Sequence, residues 1–416
     1  MSERGATFGE VFAVREFRVL FGSFALMIAG DSVKMLALSV LVYAQTGSPG
    51  LSAAAYMAGW LPYIAGGLFL LSLADRLPSR ALMVAGELVR LVTCLLLAYA
   101  GLPVWAMIGL VLVTGLFSPV FGAARTALLP DVLPGDAFVL GRSLMGVTSA
   151  AAQVAGLAVG GAFLAAVGPG GALAVTAGLS AVAAAVLRHG LPRRPARGVA
   201  GGAGGPSGAL RGTVGETLRV NGRLLADRRV RGLLLASWLP AACVAGAEAM
   251  VVPYLGGQGQ AGLVLAMAAV GMAAGEFAVG RFASPALRER LSLPLAVLLG
   301  LPWPAFAAGP GVGWAAVIAG VAAAGLAYQL GLQRRFVDAV PEEVRGQAFG
   351  LLSAGLMSGQ AAGAALVGVV GELTGPGPAI ALAGGTGVVV ALALAGVLRP
   401  ERPAPVREEA RPSRAG

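Results

Sequence analysis

Apolar runs about as long as a membrane is thick follow one another along the whole chain. A helix that crosses the hydrocarbon core of a bilayer needs roughly 20 consecutive, mostly apolar residues. The runs that meet this requirement cover residues 19–43, 52–73, 82–101, 104–124, 144–167, 171–187, 232–252, 261–279, 293–308, 312–332, 348–370 and 378–398. Because a backbone in lipid must satisfy its own hydrogen bonds, these runs predict an all-α membrane protein with twelve transmembrane helices.

The composition argues against a soluble domain and against a nucleic-acid partner. Of the 416 residues, 57% are hydrophobic and 12% are charged, whereas soluble domains are about 25% charged. The net charge of +10 is spread over arginines that fall between the apolar runs instead of clustering in one domain. The 64 glycines lie mainly inside the runs, where small residues let helices pack closely.

The arginines predict the orientation, because cytoplasmic loops carry an excess of Arg and Lys. The loops on one side, together with both termini, hold Arg76, Arg80, Arg125, Arg142 and the arginines of residues 188–231, 281–290 and 334–345. The loops on the other side, residues 45–50, 102–103, 168–170, 256–260, 309–311 and 371–377, contain neither Arg nor Lys. We therefore expect a multi-pass protein of a bacterial inner (cytoplasmic) membrane with both termini in the cytoplasm.

One long connection divides the runs into six and six. The expected organisation is an N-terminal six-helix bundle (1–188), a cytoplasmic linker (189–229), a C-terminal six-helix bundle (230–398) and a cytoplasmic tail (399–416). The halves resemble each other at a shift of 207 residues, which aligns Asp131 with Asp338, Gln153 with Gln360, and the Gly-Pro-Gly of residues 168–170 with that of 375–377. Two parallel six-helix repeats suit a transporter that rocks around a central site.

Two local motifs carry a resemblance to a known family. Residues 71–80 read LSLADRLPSR, similar to the loop motif G-x-L-a-D-R-x-G-R-R, with Asp75, Arg76 and Arg80 on matching positions and Leu71 and Pro78 where glycines are usual. The fifth run contains Gly156, Gly160 and Gly161 in an arrangement similar to the helix-packing motif G-P-x-x-G-G of antiporters, with Leu157 in place of the proline.

With twelve spans in two pseudo-repeats, the chain resembles the major facilitator superfamily over essentially its whole length. Residues 30–48 and 247–255 look like the branch of bacterial drug, siderophore and macrolide exporters. The resemblance implies a proton-coupled exporter of a small amphipathic molecule, such as a drug, an antibiotic or another secondary metabolite, that works by alternating access. It also implies that Asp75, Arg76 and Arg80 belong to a cytoplasmic gate.

Charges inside the runs are candidates for function, since insertion of one at mid-bilayer costs at least roughly 2.5–3.5 kcal/mol. Asp31 and Lys34, the only lysine, lie three residues apart in the first run. They are either a cavity-facing pair for coupling or substrate, or a static ion pair. Glu87 and Arg90 form a second intramembrane pair, for which a structural role is the alternative to coupling.

The other polar candidates divide between the cavity and the gate. Glu248 has no charged neighbour in sequence and is a candidate for the cavity, whereas Glu276 lies five residues before Arg281 and is assigned with it to the gate. The amides of Gln153, Gln329 and Gln360 either bind substrate or join neighbouring helices.

The expected partners are protons, a small-molecule substrate and the bilayer, and we expect a monomer. Cys94, Cys243 and His189 are isolated, so we expect no metal and no cofactor. The nearest alternative function is an importer with the same fold. A membrane enzyme or sensor is a remote alternative, because the sequence shows neither a catalytic constellation nor a soluble domain.

Overall fold

The computed structural model describes residues 6–46, 65–67, 69–196, 213–255 and 258–399. Within these ranges the chain is helical and contains no strand. The helices of the first half are α1 (Phe8–Ala13), α2 (Arg15–Thr46), α3 (Leu73–Arg76), α4 (Ser79–Tyr99), α5 (Val104–Gly115), α6 (Ser118–Val132) and α7 (Asp136–Gly190).

The second half begins with a helix in the predicted linker. Its elements are α8 (Thr213–Ala226), α9 (Arg228–Ala249), α10 (Val251–Leu255), α11 (Gln258–Phe282), α12 (Pro285–Gly300), α13 (Val312–Ala324), α14 (Tyr328–Ala339), α15 (Arg345–Thr374), α16 (Pro376–Ala393) and α17 (Ala395–Leu398). Short 3₁₀ turns at Trp303–Ala308, Gly325–Ala327 and Glu342–Val344 connect several of them.

Ten stretches of the described residues are long and apolar enough to cross a membrane. They are Arg15–Thr46, Ser79–Tyr99, Val104–Val132, Ala166–Gly190, Arg228–Leu255, Ala261–Phe282, Pro285–Ala308, Val312–Ala339, Glu342–Thr374 and Pro376–Ala393. The predicted run 52–73 lies mostly outside the described residues, and the run 144–167 forms part of α7. The number twelve therefore stays a prediction.

Helix α7 is bent back on itself at Gly168. Its 55 residues would extend about 82 Å if straight, far more than the roughly 30 Å hydrocarbon core. Gly168 adopts φ 69° and ψ 166°, a conformation essentially restricted to glycine. Gly141 near the start of α7 faces Phe17, and Gly190 at its end faces Val19. Both ends of α7 thus meet the same end of α2, so its two parts run antiparallel.

The same turn recurs in the second half. Gly375, 207 residues after Gly168, joins α15 to α16 with φ 86° and ψ 161° and is also followed by proline. The proline suits the first position of the next helix, where no backbone N–H is needed. The internal repeat suggested by the sequence is therefore present in the backbone at this corner.

Among the described residues, the two halves share a core at one end of the molecule. We call the end that carries Arg80, Arg194, Arg288 and Arg345 the arginine-rich face. One buried cluster joins residues near this face in the first half, such as Leu71 and Leu133, to much of the second half, including Phe349. A separate cluster, which includes Leu38 and Leu173, fills the outer part of the first half and contains no residue of the second. In the part of the chain that the structure describes, the halves therefore pack together near the arginine-rich face, and the outer cluster of the first half is separate from them.

Candidate functional site

Five charged side chains from α2, α4 and α6 form one network inside the first half. Asp31 accepts from Lys34 Nζ at 2.8 Å and from Arg90 Nη2 at 3.2 Å. Glu87 accepts from Arg90 Nη1 at 2.9 Å and from Arg125 Nη2 at 3.4 Å. The two predicted pairs are therefore a single chain of alternating charges, which we call the charge network.

Helix α6 contributes Arg125 to the network, in a position that the sequence did not predict. Arg125, predicted to lie in a cytoplasmic loop, is instead buried within α6 and 5% exposed. It donates to Ser23 Oγ at 3.2 Å and Leu20 O at 3.4 Å, and its guanidinium lies over the Phe24 ring. The apolar stretch after Arg125, from Ala127 to Leu129, is buried as well; it is the sequence signal that the helix continues past the arginine.

The charge network has more cations than carboxylates, and its two carboxylates differ in how far they are exposed. Three cations face two carboxylates, so the network carries a net charge of +1. The Glu87 side chain is 3% exposed, whereas that of Asp31 is 33% exposed. An ionised group is stable in such surroundings only when it is paired. Asp31 is thus the more exposed carboxylate of the network.

A second site lies at the arginine-rich face, where Asp75 joins the two halves. The buried Asp75 carboxylate accepts from the backbone N–H groups of Gly346 and Gln347, each at 2.7 Å. These groups begin α15, whose first N–H groups have no partner within the helix and carry partial positive charge. Asp75 of the first half therefore caps a helix of the second.

Two further ion pairs cross between the halves beside this cap. Arg345 at the start of α15 donates to Asp131 Oδ1 at 3.1 Å. Arg288 pairs with Asp136, the first residue of α7, and also donates to Gly280 O at 2.7 Å. Neither arginine was singled out by the sequence analysis, because each partner lies more than a hundred residues away.

Helix α8 is hydrogen-bonded to residues of both halves near Asp75 and Gln347. Gln347 Nε2 donates to Thr217 O and to Asn221 Oδ1, each at 2.7 Å, and the Ser72 N–H donates to Thr217 Oγ1 at 3.1 Å. Arg76 forms an ion pair with Glu216. The linker helix thus contacts both halves where they meet.

The remaining gate residues occupy different surroundings at this face. Arg80 donates to Leu191 O at 2.9 Å and stays within its own half. Arg281 lies over the rings of Phe8 and Phe282. The Glu276 carboxylate faces Gly146 of α7, on the opposite half. Of the predicted gate residues, Asp75, Glu276 and Arg281 therefore contact the opposite half directly, while Arg76 binds the linker helix.

The predicted cavity residues outside the charge network lie on several helices. Glu248 lies 20 residues after Arg228 in α9, which places it about 30 Å along the helix and far from the arginine-rich face. Gln329 and Gln360 are half-buried in α14 and α15. The side chain of Gln153 and the surroundings of Gly156, Gly160 and Gly161 lie outside what the structure describes. Among the residues that are described, no group of three His, Cys, Asp or Glu side chains could hold a metal ion.

Comparisons with known proteins agree with this architecture. A family model described as Major Facilitator Superfamily matches residues 20–334. The human organic anion transporter MFSD10 (TETRAN) is similar in structure with a TM-score of 0.73 and 17% identity, over 91% of this chain and 99% of that one. No curated protein matches the sequence.

Two bacterial structures are similar to a comparable extent. A bacterial homologue of the iron transporter ferroportin in an outward-facing state gives a TM-score of 0.68 at 16% identity, over 92% of this chain and 98% of that one. The E. coli fucose:proton symporter FucP gives 0.67 at 15% identity, over the same shares of the two chains. At such identities the likeness concerns the fold.

Proposed function

The chain belongs to the major facilitator superfamily, and from this premise we propose that it exports a small amphipathic molecule, such as a drug, an antibiotic or another secondary metabolite, by proton-coupled alternating access. One observation carries the proposal of alternating access: in the described ranges the halves are joined at the arginine-rich face, and the cluster in the outer part of the first half contains no residue of the second. This arrangement corresponds to one end state of a rocking transporter.

We propose that the arginine-rich face is cytoplasmic, in a bacterial inner membrane, following the excess of positive charge on that side. The described state is then closed to the cytoplasm, and the likeness to an outward-facing transporter supports this orientation. Single cysteines at Ser48, Gly257 and Gly311 should react with an impermeant reagent added outside, whereas cysteines at Ser207 and Ser413 should not. The reverse labelling pattern would overturn the orientation.

Asp31 is the proposed coupling residue. It is the more exposed carboxylate of the charge network; it accepts from Lys34 on its own helix, and its bond from Arg90 joins α2 to α4. A proton on Asp31 would remove its charge and leave three cations facing Glu87 alone. Repulsion among those cations would loosen the contact between α2 and α4. Protonation would thereby change the packing of helices, as coupling of a proton to transport requires.

Glu87 has a different proposed role. Its carboxylate is buried and bound by two arginines, so we assign to it and Arg90 the structural support of the network. We place Glu248, Gln153, Gln329 and Gln360 along the substrate path, and we assign close helix packing to the motif of Gly156, Gly160 and Gly161.

Asp31→Asn tests the coupling proposal. The experiment compares the variant with wild type in vesicles loaded with a panel of amphipathic dyes, ethidium among them. Dye efflux driven by a pH gradient should be lost in Asp31→Asn, while dye exchange without a gradient continues. Lys34→Ala, which leaves the carboxylate in place, should shift the pH profile or the dye preference instead. Full gradient-driven efflux by Asp31→Asn would exclude Asp31 and make Glu248 the next candidate.

Import is the second candidate function, because similar structures include fucose:proton and proton:xylose symporters. The same vesicles distinguish the two directions. An exporter that exchanges substrate for protons moves dye toward the compartment with more protons, whereas a symporter moves dye and protons together.

A further inference from the structure

One carboxylate between the two halves has a buried oxygen atom with no hydrogen-bond partner among the described residues. We use "seam" for the contact of the first part of α7 with α11, near the arginine-rich face. Glu276 of α11 faces α7 there, and its Oε2 atom is buried with no hydrogen-bond partner among the described residues. Buried carboxylate oxygens are normally bound, so this atom calls for an explanation.

Helix α7 leaves space for the Glu276 side chain at a glycine. The Glu276 carboxylate occupies the space in front of Gly146, where any larger residue would place its Cβ atom. On the same stretch of α7, Ser143 Oγ donates to Glu276 O at 2.6 Å. The backbone of residue 276 is thus held against α7, and its carboxylate fills a notch that glycine leaves open.

Few charged groups face Glu276. Arg142 of α7 is the charge whose field acts on it. On α11 itself, Arg281 lies over the Phe8 and Phe282 rings. Arg288 and Asp136, at the end of the seam, are paired with each other.

Among the described residues, the other elements that pack on α11 add no counter-charge to Glu276. Helix α13 and the turn Gly325–Ala327 carry no titratable side chain. Tyr254 of α10 donates to Pro310 O, and Tyr328 of α14 donates to carbonyl groups of α9. The Arg334, Arg335 and Asp338 side chains of α14 lie farther along that helix, beyond Tyr328, and Glu10 of α1 caps its own helix.

We infer that Glu276 is a proton-binding site of the seam, occupied when the arginine-rich face is closed and vacated when that face opens. Closure removes water from a carboxylate that gains no partner for Oε2, which favours the neutral form. Opening returns the group to water, where the ionised form is stable. Because the coupling of proton binding to closure is reciprocal, a lower pH favours closure. The inference adopts the open state of the proposed alternating access, but it does not involve Asp31.

Double electron–electron resonance, which measures the distance between two spin labels, tests the inference without a substrate. Labels at Ala81 and Ala286, which are exposed on opposite halves, report closure in full-length protein whose two native cysteines have been replaced. In wild type, the ratio of closed to open protein should rise as pH falls, by up to about tenfold per pH unit, the limit for one linked proton. Glu276→Gln, neutral and similar in shape, should stay closed from about pH 5 to about pH 9, a range that spans ordinary carboxyl and histidine titration.

Two further variants separate this site from other causes. Gly146→Ala fills the notch and should open the face at every pH, whereas Asp338→Asn, which neutralises an exposed carboxylate outside the seam, should keep the wild-type pH dependence of the distance. A pH dependence that survives in Glu276→Gln would overturn the inference. A wild-type distance that does not vary with pH would also overturn it, and would leave alternating access to be judged by dye exchange.

Discussion

Replacing Asp75 by Asn should open the arginine-rich face. Asp75 is 5% exposed and accepts two backbone N–H groups from the first turn of α15, both at 2.7 Å. The asparagine has nearly the same shape, but only its carbonyl oxygen accepts, so its amide group faces the second N–H, donor against donor. The variant also loses the negative charge at the positive end of a helix.

The size of the effect follows from these contacts. A hydrogen bond to a charged group contributes about 1.5–3 kcal/mol, against about 0.5–1.5 kcal/mol for a neutral one. A charge at a helix terminus contributes about 0.3–1 kcal/mol, and up to about 2 kcal/mol when partly buried. We expect closure to weaken by about 2–4 kcal/mol, which raises the ratio of open to closed protein about 30- to 700-fold, since every 1.4 kcal/mol is tenfold.

The distance between labels at Ala81 and Ala286 measures this ratio directly. Asp227→Asn is the matched control, because Asp227 also accepts two N–H groups at a helix start, from Arg229 at 2.8 Å and Val230 at 3.0 Å. Its bonds lie within one half, so that variant should leave the distance unchanged. If Asp75→Asn keeps the closed distance of wild type, or if both variants open the face equally, the cap does not hold the two halves together.

Three other predictions concern packing and burial. Glu87→Gln should lower the melting temperature markedly, because removing one partner of a buried ion pair costs about 3–5 kcal/mol and Glu87 pairs with two arginines. An unchanged melting temperature would contradict the burial of the network. Gly363→Val should destabilise the protein, because a Cβ at Gly363 would overlap the backbone of α9. Gly109→Ala should not, because the space around Gly109 is open. Equal melting curves for the two variants would refute the close contact. A thiol reagent that enters the membrane should modify Cys243, which is partly exposed, before Cys94, which is buried; the opposite order would contradict the structure of the first half.

The sequence by itself determined the features that depend on one helix at a time. Apart from the run 52–73, which lies mostly outside the described residues, the apolar runs predicted helices that the structure contains in nearly the same places, because a helix in lipid satisfies its hydrogen bonds alone. The shift of 207 residues predicted that residues 168–170 and 375–377 correspond, and both form the same turn. The pairs Asp31–Lys34 and Glu87–Arg90 followed from their spacing on a helix surface.

Only the tertiary structure decided which helices face one another. Asp31 and Arg90 are 59 residues apart and Asp75 and Gly346 are 271 apart, and no periodicity reports such contacts. The sequence pattern predicts a loop at Arg125, because a charge normally ends an apolar run. Inside the bundle, Glu87 and Ser23 supply the partners that make its burial tolerable. The energy of a buried charge depends on partners brought close by folding, so a single run of sequence cannot predict it.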